Sequence, residues 1–319
     1  MAICQELKQA FAKRIARNTW LSEASKANIL DKLEAMKFYI GRPDQWYEEG
    51  LPDLSASTNL MEDVLIAQKT RMKLFMMSIG PIDQFDVVTS AILTGLTSMT
   101  FLNCGYDTWY NAVFISPIFC SAPLNPQGVN EAINYAAATV YGHELTHAFD
   151  TMGYKRDKYG NPGNVMATNA DYQAFNDLTG RLAANYSMLE VMPDALPGLC
   201  NDGQTTIAEN IADLGGFEVC YEAYTDKLRA GGFTGDGLRL QQQRFFEAYA
   251  HVWQSCYNAP YAKRKTQGEG ESKADIDTHS LERERVNGVL RNVDAWYDLY
   301  DVKPGDKLYL APEQRVHIW

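Results

Sequence analysis

The feature that most constrains this chain is the pentapeptide His143-Glu144-Leu145-Thr146-His147, set inside residues 134–150. On a helix, positions i and i+4 share a face, so the two imidazoles can aim at one point and hold one metal ion. Glu144 projects beside them, where a carboxylate can grip a metal-activated water without being a ligand itself. Two such histidines also occur as satisfied side chains on ordinary helices. A functional site therefore requires the rest of the chain to add a third ligand, groups that orient the imidazoles, and a group that steadies developing negative charge.

Bulk composition narrows the partners. At 319 residues, 46% hydrophobic and 22% charged, the chain can bury a large core as one domain or two modest ones. A net charge of −11 argues against a nucleic-acid partner, which calls for a basic face. The six cysteines (Cys4, Cys104, Cys120, Cys200, Cys220, Cys256) lack C-x-x-C spacing, so neither a zinc ribbon nor a redox motif is expected. They are also too sparse for a disulfide-stapled domain. The opening residues run into a charged helical pattern and do not read as a signal peptide. The longest uncharged run, residues 87–106, is crowded with Thr, Ser and Gly and is expected to form buried strands and turns, not a membrane span. No export signal or anchor is read in the sequence, and the compartment stays open.

Along the chain, Leu7, Phe11 and Ile15 recur four residues apart, and a break follows at residues 18–20. Ser22 is the expected N-cap of a second helix carrying Ile29, Leu30, Leu33 and Met36, stopped at Gly41-Arg42-Pro43. A third helix over roughly 58–79 is expected to turn Leu60, Val64, Ala67, Met72 and Met76 into the core. Residues 86–124 become β-branched, aromatic and uncharged, with Thr100-Phe101-Leu102 and Ala112–Ile115 as strands. Residues 157–163 read as a turn, since their acids lack calcium-loop spacing. Thr168 is the expected cap of a further helix, residues 205–216 open another, and residues 240–253 are amphipathic and helical. Residues 262–276 read as a charged loop, and residues 286–319 as an alternating apolar and polar tail with a terminal strand pattern.

The best candidate for a third ligand is Glu209, with Asp213 one turn later on the same helical face. A metal-bound histidine generally donates its other ring N–H to a carboxylate, which is the part Asp213 can take. A solvated acidic face is the alternative. The apolar and small residues around the pair, Ile211, Ala212, Leu214, Gly215 and Gly216, point instead to a buried helix, where acids need partners. Among the remaining histidines, His317 reads as structural and His251 as core or surface. His279, followed by Arg285, suits oxyanion stabilisation and carbonyl binding.

Together these segments resemble the neprilysin family of zinc endopeptidases. The resemblance rests on residues 143–150, on residues 209–216, and on Asp277-Thr278-His279-Ser280 with Arg285-Val286-Asn287-Gly288. Pro304-Gly305-Asp306-Lys307-Leu308-Tyr309, the closing Arg315-Val316-His317-Ile318-Trp319 and the opening helix pair agree as well. The resemblance implies an α+β, predominantly helical fold: a thermolysin-like zincin catalytic lobe of gluzincin type with a small mixed β-sheet. Residues 1–85 would belong to a capping lobe and its connection, and residues 86–319 to the catalytic lobe. It implies one zinc ion on His143, His147 and Glu209, with Glu144 as general base, Asp213 orienting a histidine and His279 stabilising the oxyanion. Arg285 would hold a substrate carbonyl on the primed side, and Asn103 the substrate backbone, in preference to the similar Asn111 segment. Val140, Val252 and Trp253 would form the pocket for a hydrophobic side chain after the cleaved bond. Cys104-Gly105 departs from the family's Ala-aromatic pair, and Leu281 replaces a proline.

Family members are about twice as long, and the missing part mostly builds the helical lobe over the active site. The expectation is a peptidase acting on peptide substrates that is completed by a second protein chain; an open-cleft peptidase is the less favoured form. The alternative function is a non-catalytic subunit that binds peptide or a partner on the same fold.

Overall fold

Two helices that cross at glycine organise the molecule. The computed structural model describes residues 2–41, 53, 58–77, 103–117, 131–267 and 278–319. Helix α1 (Ala2–Arg17) buries Cys4, Leu7, Phe11 and Ile15 at helical spacing. Helix α2 (Glu23–Ala35) starts at Ser22, whose hydroxyl accepts the Ser25 N–H as the N-cap. The chain then leaves the helix before residue 40, earlier than the sequence pattern places its end. Lys37–Ile40 is strand β1, because the run Phe38-Tyr39-Ile40 pairs in parallel with Val113-Phe114-Ile115. Strands β2 (Cys104–Asp107) and β3 (Ala112–Ile115) pair antiparallel, giving a small mixed sheet in the order β1-β3-β2. Between them the chain reverses through Asn111, which adopts φ 49°, a left-handed conformation that asparagine tolerates.

Helix α3 (Leu60–Met77) lies between the first two strands in sequence. Helices α4 (Glu131–Ala137) and α5 (Thr139–Thr146) follow, and α5 runs on into a 3-10 turn at His147–Phe149. Helix α6 (Asn169–Ser187) is capped by the Thr168 hydroxyl, which accepts the Asp171 N–H. Helix α7 (Ile207–Ala230) buries Ile211, Leu214, Phe217, Val219 and Cys220, so it is core on nearly every side. Helices α8 (Gly235–Val252), α9 (Ala259–Gln267), α10 (Glu282–Leu290) and α11 (Asp294–Tyr300) complete the order. Phe217 meets Phe245, Phe246 and Tyr249 of α8 at ring separations of 5.2, 5.0 and 4.7 Å.

Helix α5 packs directly on α7. A Cβ added at Gly216 would stand 2.4 Å from the His143 backbone nitrogen, and one at Gly142 would stand 2.8 Å from the Gly216 carbonyl oxygen. Only glycine permits this approach, and it brings the Glu209–Asp213 turn of α7 against the histidine face of α5.

Three sequence expectations are corrected. Leu60, Val64, Ala67 and Met72 of α3 face solvent, because no described helix or strand packs extensively on this helix. The side chain of Met76 lies outside the described residues. The charged segment from residue 262 is helical up to Gln267, with Ala262 buried and Thr266 bonded to the Ala262 carbonyl. The tail is not strand: residues 282–300 form α10 and α11, and the last residues are extended without sheet pairing. Asn18 and Trp20 side chains hold that end by donating to the Ile318 carbonyl at 3.1 and 2.9 Å. The Thr100-Phe101-Leu102 strand and most of the uncharged run at residues 87–106 lie outside the described residues. No disulfide joins the described cysteines, and no described helix is long and apolar enough to cross a membrane.

Candidate metal centre

Helix α5 places His143 and His147 one turn apart, their rings edge-on with centroids 4.5 Å apart. Their Nε2 atoms come within 2.9 Å of each other. From α7, Glu209 brings its Oε2 to 3.1 Å from His143 Nε2 and 3.3 Å from His147 Nε2. These three atoms crowd a common point, yet Glu209 Oε2 makes no well-aligned hydrogen bond there. The far side of each ring explains the arrangement. His143 Nδ1 lies 2.8 Å from Asp213 Oδ1, and His147 Nδ1 lies 2.6 Å from Asp150 Oδ2. A ring that donates its Nδ1–H to a carboxylate presents a lone pair at Nε2. Two such lone pairs and a carboxylate oxygen facing one another form a donor set for a small cation.

Charge in the site favours the same conclusion. Glu144, Asp150, Glu209 and Asp213 converge on one region, where Arg285 pairs with Asp213 and the Lys32 ammonium acts on Asp150. Burial works against ionised Asp213, but Arg285 and His143 outweigh it and hold the carboxyl near 2, below its ordinary 3.8. Burial likewise opposes ionised Glu209, whose contacts with His143, His147 and His279 hold it far below the usual carboxylate range. Desolvation would lower His147, but Asp150 and Glu209 raise it well above 6.5. The same carboxylates attract a metal cation, which competes with that proton for the imidazole.

The other sequence candidates fall at different distances from this point. Glu144, 7% exposed, has its carboxylate within ligand reach of both histidines. His279 sets its Nε2 3.1 Å from Glu209 Oε2, with its ring nearly parallel to that of His143; at 40% exposed, it is the most accessible of the three histidine side chains. Arg285 grips Asp213 with two nitrogens at 2.8 and 2.6 Å, and its guanidinium lies 3.9 Å over the Trp253 ring. Val140 and Val252 are partly buried and packed against the main core, as is Trp253. Asn103 is exposed at the start of β2, an edge strand that lies beside α5. Asn111 serves the fold instead. Fully buried, it accepts from Tyr106 Oη and donates to the Lys32 carbonyl.

Asp150 is absent from the sequence candidates, although its signal was available. It sits three residues after His147, close enough to reach the ring once the chain turns. Its Oδ1 accepts the N–H groups of Met152 and Gly153, both at 2.7 Å, so the carboxylate closes that turn while it holds the histidine.

Comparison with known proteins fits this geometry. The sequence profile of peptidase family M13 matches residues 103–316, which include every candidate described above. A neutral endopeptidase of Lactobacillus helveticus is 28% identical over 315 residues, covering 98% of this chain and 43% of that protein. Endothelin-converting enzyme 1 of mouse is 27% identical, covering 99% of this chain and 40% of that protein. A crystal structure of a Mycobacterium tuberculosis zinc metalloprotease with an inhibitor superposes with a TM-score of 0.76 at 28% identity, over all of this chain and 46% of that one. The chain thus spans less than half the length of the relatives it matches. With the profile covering well over half of it, this chain belongs to peptidase family M13.

Proposed function

We propose that this chain is the catalytic part of a zinc-dependent endopeptidase of gluzincin type that hydrolyses oligopeptides. The observation that carries the reading is the convergence of His143 Nε2, His147 Nε2 and Glu209 Oε2, with both Nδ1 atoms committed to carboxylates. Zinc bonded to nitrogen at about 2.0–2.1 Å keeps tetrahedral neighbours about 3.3 Å apart. The separations of 2.9, 3.1 and 3.3 Å are close to that spacing.

In this reading His143, His147 and Glu209 hold one zinc ion, which when bound polarises the scissile carbonyl and makes water a stronger acid. The chain's own residues do the rest. Glu144 takes a proton from the attacking water and delivers it to the leaving amine. His279, exposed at the rim, donates to the carbonyl oxygen as it gains charge. Asp213 and Asp150 fix the tautomers and directions of the two ligand rings. The substrate backbone lies along the outer edge of β2, where Asn103 binds it, and Arg285 reaches a carbonyl on the primed side. Val140, Val252 and Trp253 supply an apolar wall for a hydrophobic residue after the scissile bond, a reading supported by their packing on the core.

A complementary polypeptide, corresponding to the rest of the relatives' length, completes the enzyme. Support comes from the share of each relative that this chain covers and from the exposed Leu60, Met61, Leu65 and Met72 on α3.

Turnover of a fluorogenic oligopeptide, by the chain alone or mixed with that complementary polypeptide, tests the reading. Hydrolysis is expected to stop with a chelator and return with Zn²⁺. Glu144→Gln is expected to keep its zinc and lose about 10²–10⁴-fold in kcat. Undiminished turnover in that variant would overturn the mechanism.

A further inference from the structure

Lys32 carries the most deeply buried ammonium described in the molecule: the residue is 1% exposed, and Asp150 and Asp157 act on its charge from beyond salt-bridge distance. Its Nζ instead donates to three backbone carbonyls, those of Ala148 at 2.9 Å, Gly153 at 2.7 Å and Arg156 at 2.9 Å. Every N–H of the ammonium is thereby used. All three acceptors belong to the short segment that leaves the metal helix at His147.

That segment is folded tightly back on itself. A Cβ at Gly153 would stand 1.9 Å from the His147 carbonyl oxygen, so the backbone returns directly onto the end of α5. Within the reversal, Asp150 points one oxygen at His147 Nδ1 and the other at two backbone N–H groups. A reversal this tight turns carbonyls away from water, and buried carbonyls need donors. An amide side chain has two N–H groups to offer and a hydroxyl one, whereas an ammonium satisfies three acceptors from a single point. Its charge also opposes the negative end of α5. On its other side, the Lys32 carbonyl accepts from Asn111 Nδ2 at 2.9 Å, at the reversal between β2 and β3. One residue of α2 therefore ties the loop below the metal centre to the sheet beside it.

We propose that Lys32 is a positioning residue of the metal centre. By fixing the carbonyls of Ala148, Gly153 and Arg156 in one loop conformation, it sets Asp150 against His147 Nδ1 and so sets where His147 Nε2 points. This rests on the reading of His147 as a ligand. Lys32 precedes its outermost acceptors by 116 and 124 residues and lies outside the span matched by the family profile.

The test uses the full chain, with and without Zn²⁺. It follows the imidazole Nδ1–H protons of His143 and His147 by NMR and the zinc affinity by chelator competition. In Lys32→Met, the His147 signal is expected to shift or broaden while the His143 signal, held by Asp213, stays in place. Zinc affinity is expected to fall about 10–100-fold. Leu33→Ala, a core truncation on the same helix, is expected to lower thermal stability while leaving both signals and the affinity near wild type. Should Lys32→Met fail to fold, Lys32→Gln keeps part of the donor set and is expected to give the same selective shift in smaller measure. An unmoved His147 signal with unchanged affinity overturns the proposal. So do equal shifts at both histidines, which mark general loosening. Absence of zinc binding by the wild-type chain counts against the metal reading alone, because the metal-free spectra still report the Lys32–Asp150–His147 linkage.

Discussion

His143 and His147 stand one turn apart on the same helix, yet they are held by different kinds of support. Behind His143 lies a charged stack: Asp213, the bidentate Arg285 guanidinium, and the Trp253 ring beneath it. The Asp213 carboxylate is therefore balanced by a full positive charge brought from a distant helix. Behind His147 lies Asp150, whose second oxygen is met only by backbone N–H groups of its own loop. One support is an ion pair between elements, and the other is a local turn. The first resists displacement as long as its charge partner stays. The second is only as firm as the loop conformation, which explains why a buried lysine is committed to that loop's carbonyls.

Breaking the ion-paired side has the largest expected effect. Asp213→Asn leaves Arg285 buried without a counter-charge, a loss of about 3–5 kcal/mol in unfolding free energy, measurable by denaturant titration. Next comes the crossing that brings α7 to both histidines. Gly216→Ala forces a methyl against backbone atoms at 2.4 and 2.7 Å, and is expected to cost about 1–3 kcal/mol or more and to weaken metal binding. Asp150→Asn is milder, at about 1 kcal/mol, because an amide oxygen still accepts the loop N–H groups. Its metal affinity is nonetheless expected to fall about 10–100-fold. An Asp150→Asn loss of stability as large as that of Asp213→Asn would erase the distinction between the two supports.

The pH dependence of the metal-free chain sharpens the same comparison, with opposite signs. Asp213 titrates near 2 in the folded chain against an ordinary 3.8, so its contribution is present above about pH 4 and is lost as pH falls toward 2. His147 is raised above 6.5, so its contribution is complete below that value and is lost as pH rises through the raised one. Thermal midpoints of the metal-free chain across pH are expected to decline at both ends. Metal uptake requires His147 to be neutral, so zinc affinity is expected to rise with pH over the range where His147 titrates.

The legible and illegible parts of the sequence divide along the same line. Glu209 and Asp213 stand out because two acids sit on a helix otherwise small and apolar, where burial demands partners. Gly215 and Gly216 mark the close approach that carries them. Asp150 shows only its spacing, three residues after His147, because its role depends on how the chain turns after the helix, which periodicity does not encode. Lys32 leaves no pattern, since its partners are backbone carbonyls far along the chain. The apolar spacing of α3 identifies a helix correctly but not what covers it: its stripe of Leu60, Val64, Leu65 and Met72 faces solvent. At the tail, alternating residues suggest strand, while two short helices form instead and side-chain bonds to the backbone hold the last residues.

The catalytic reading depends on a zinc ion being held where α5 and α7 meet. The most direct test is zinc analysis of the dialysed full chain beside Glu209→Ala, with folding of both confirmed by circular dichroism. One zinc ion per wild-type chain is expected, and none retained by Glu209→Ala. Equal zinc in both, or none in the folded wild type, would contradict the assignment.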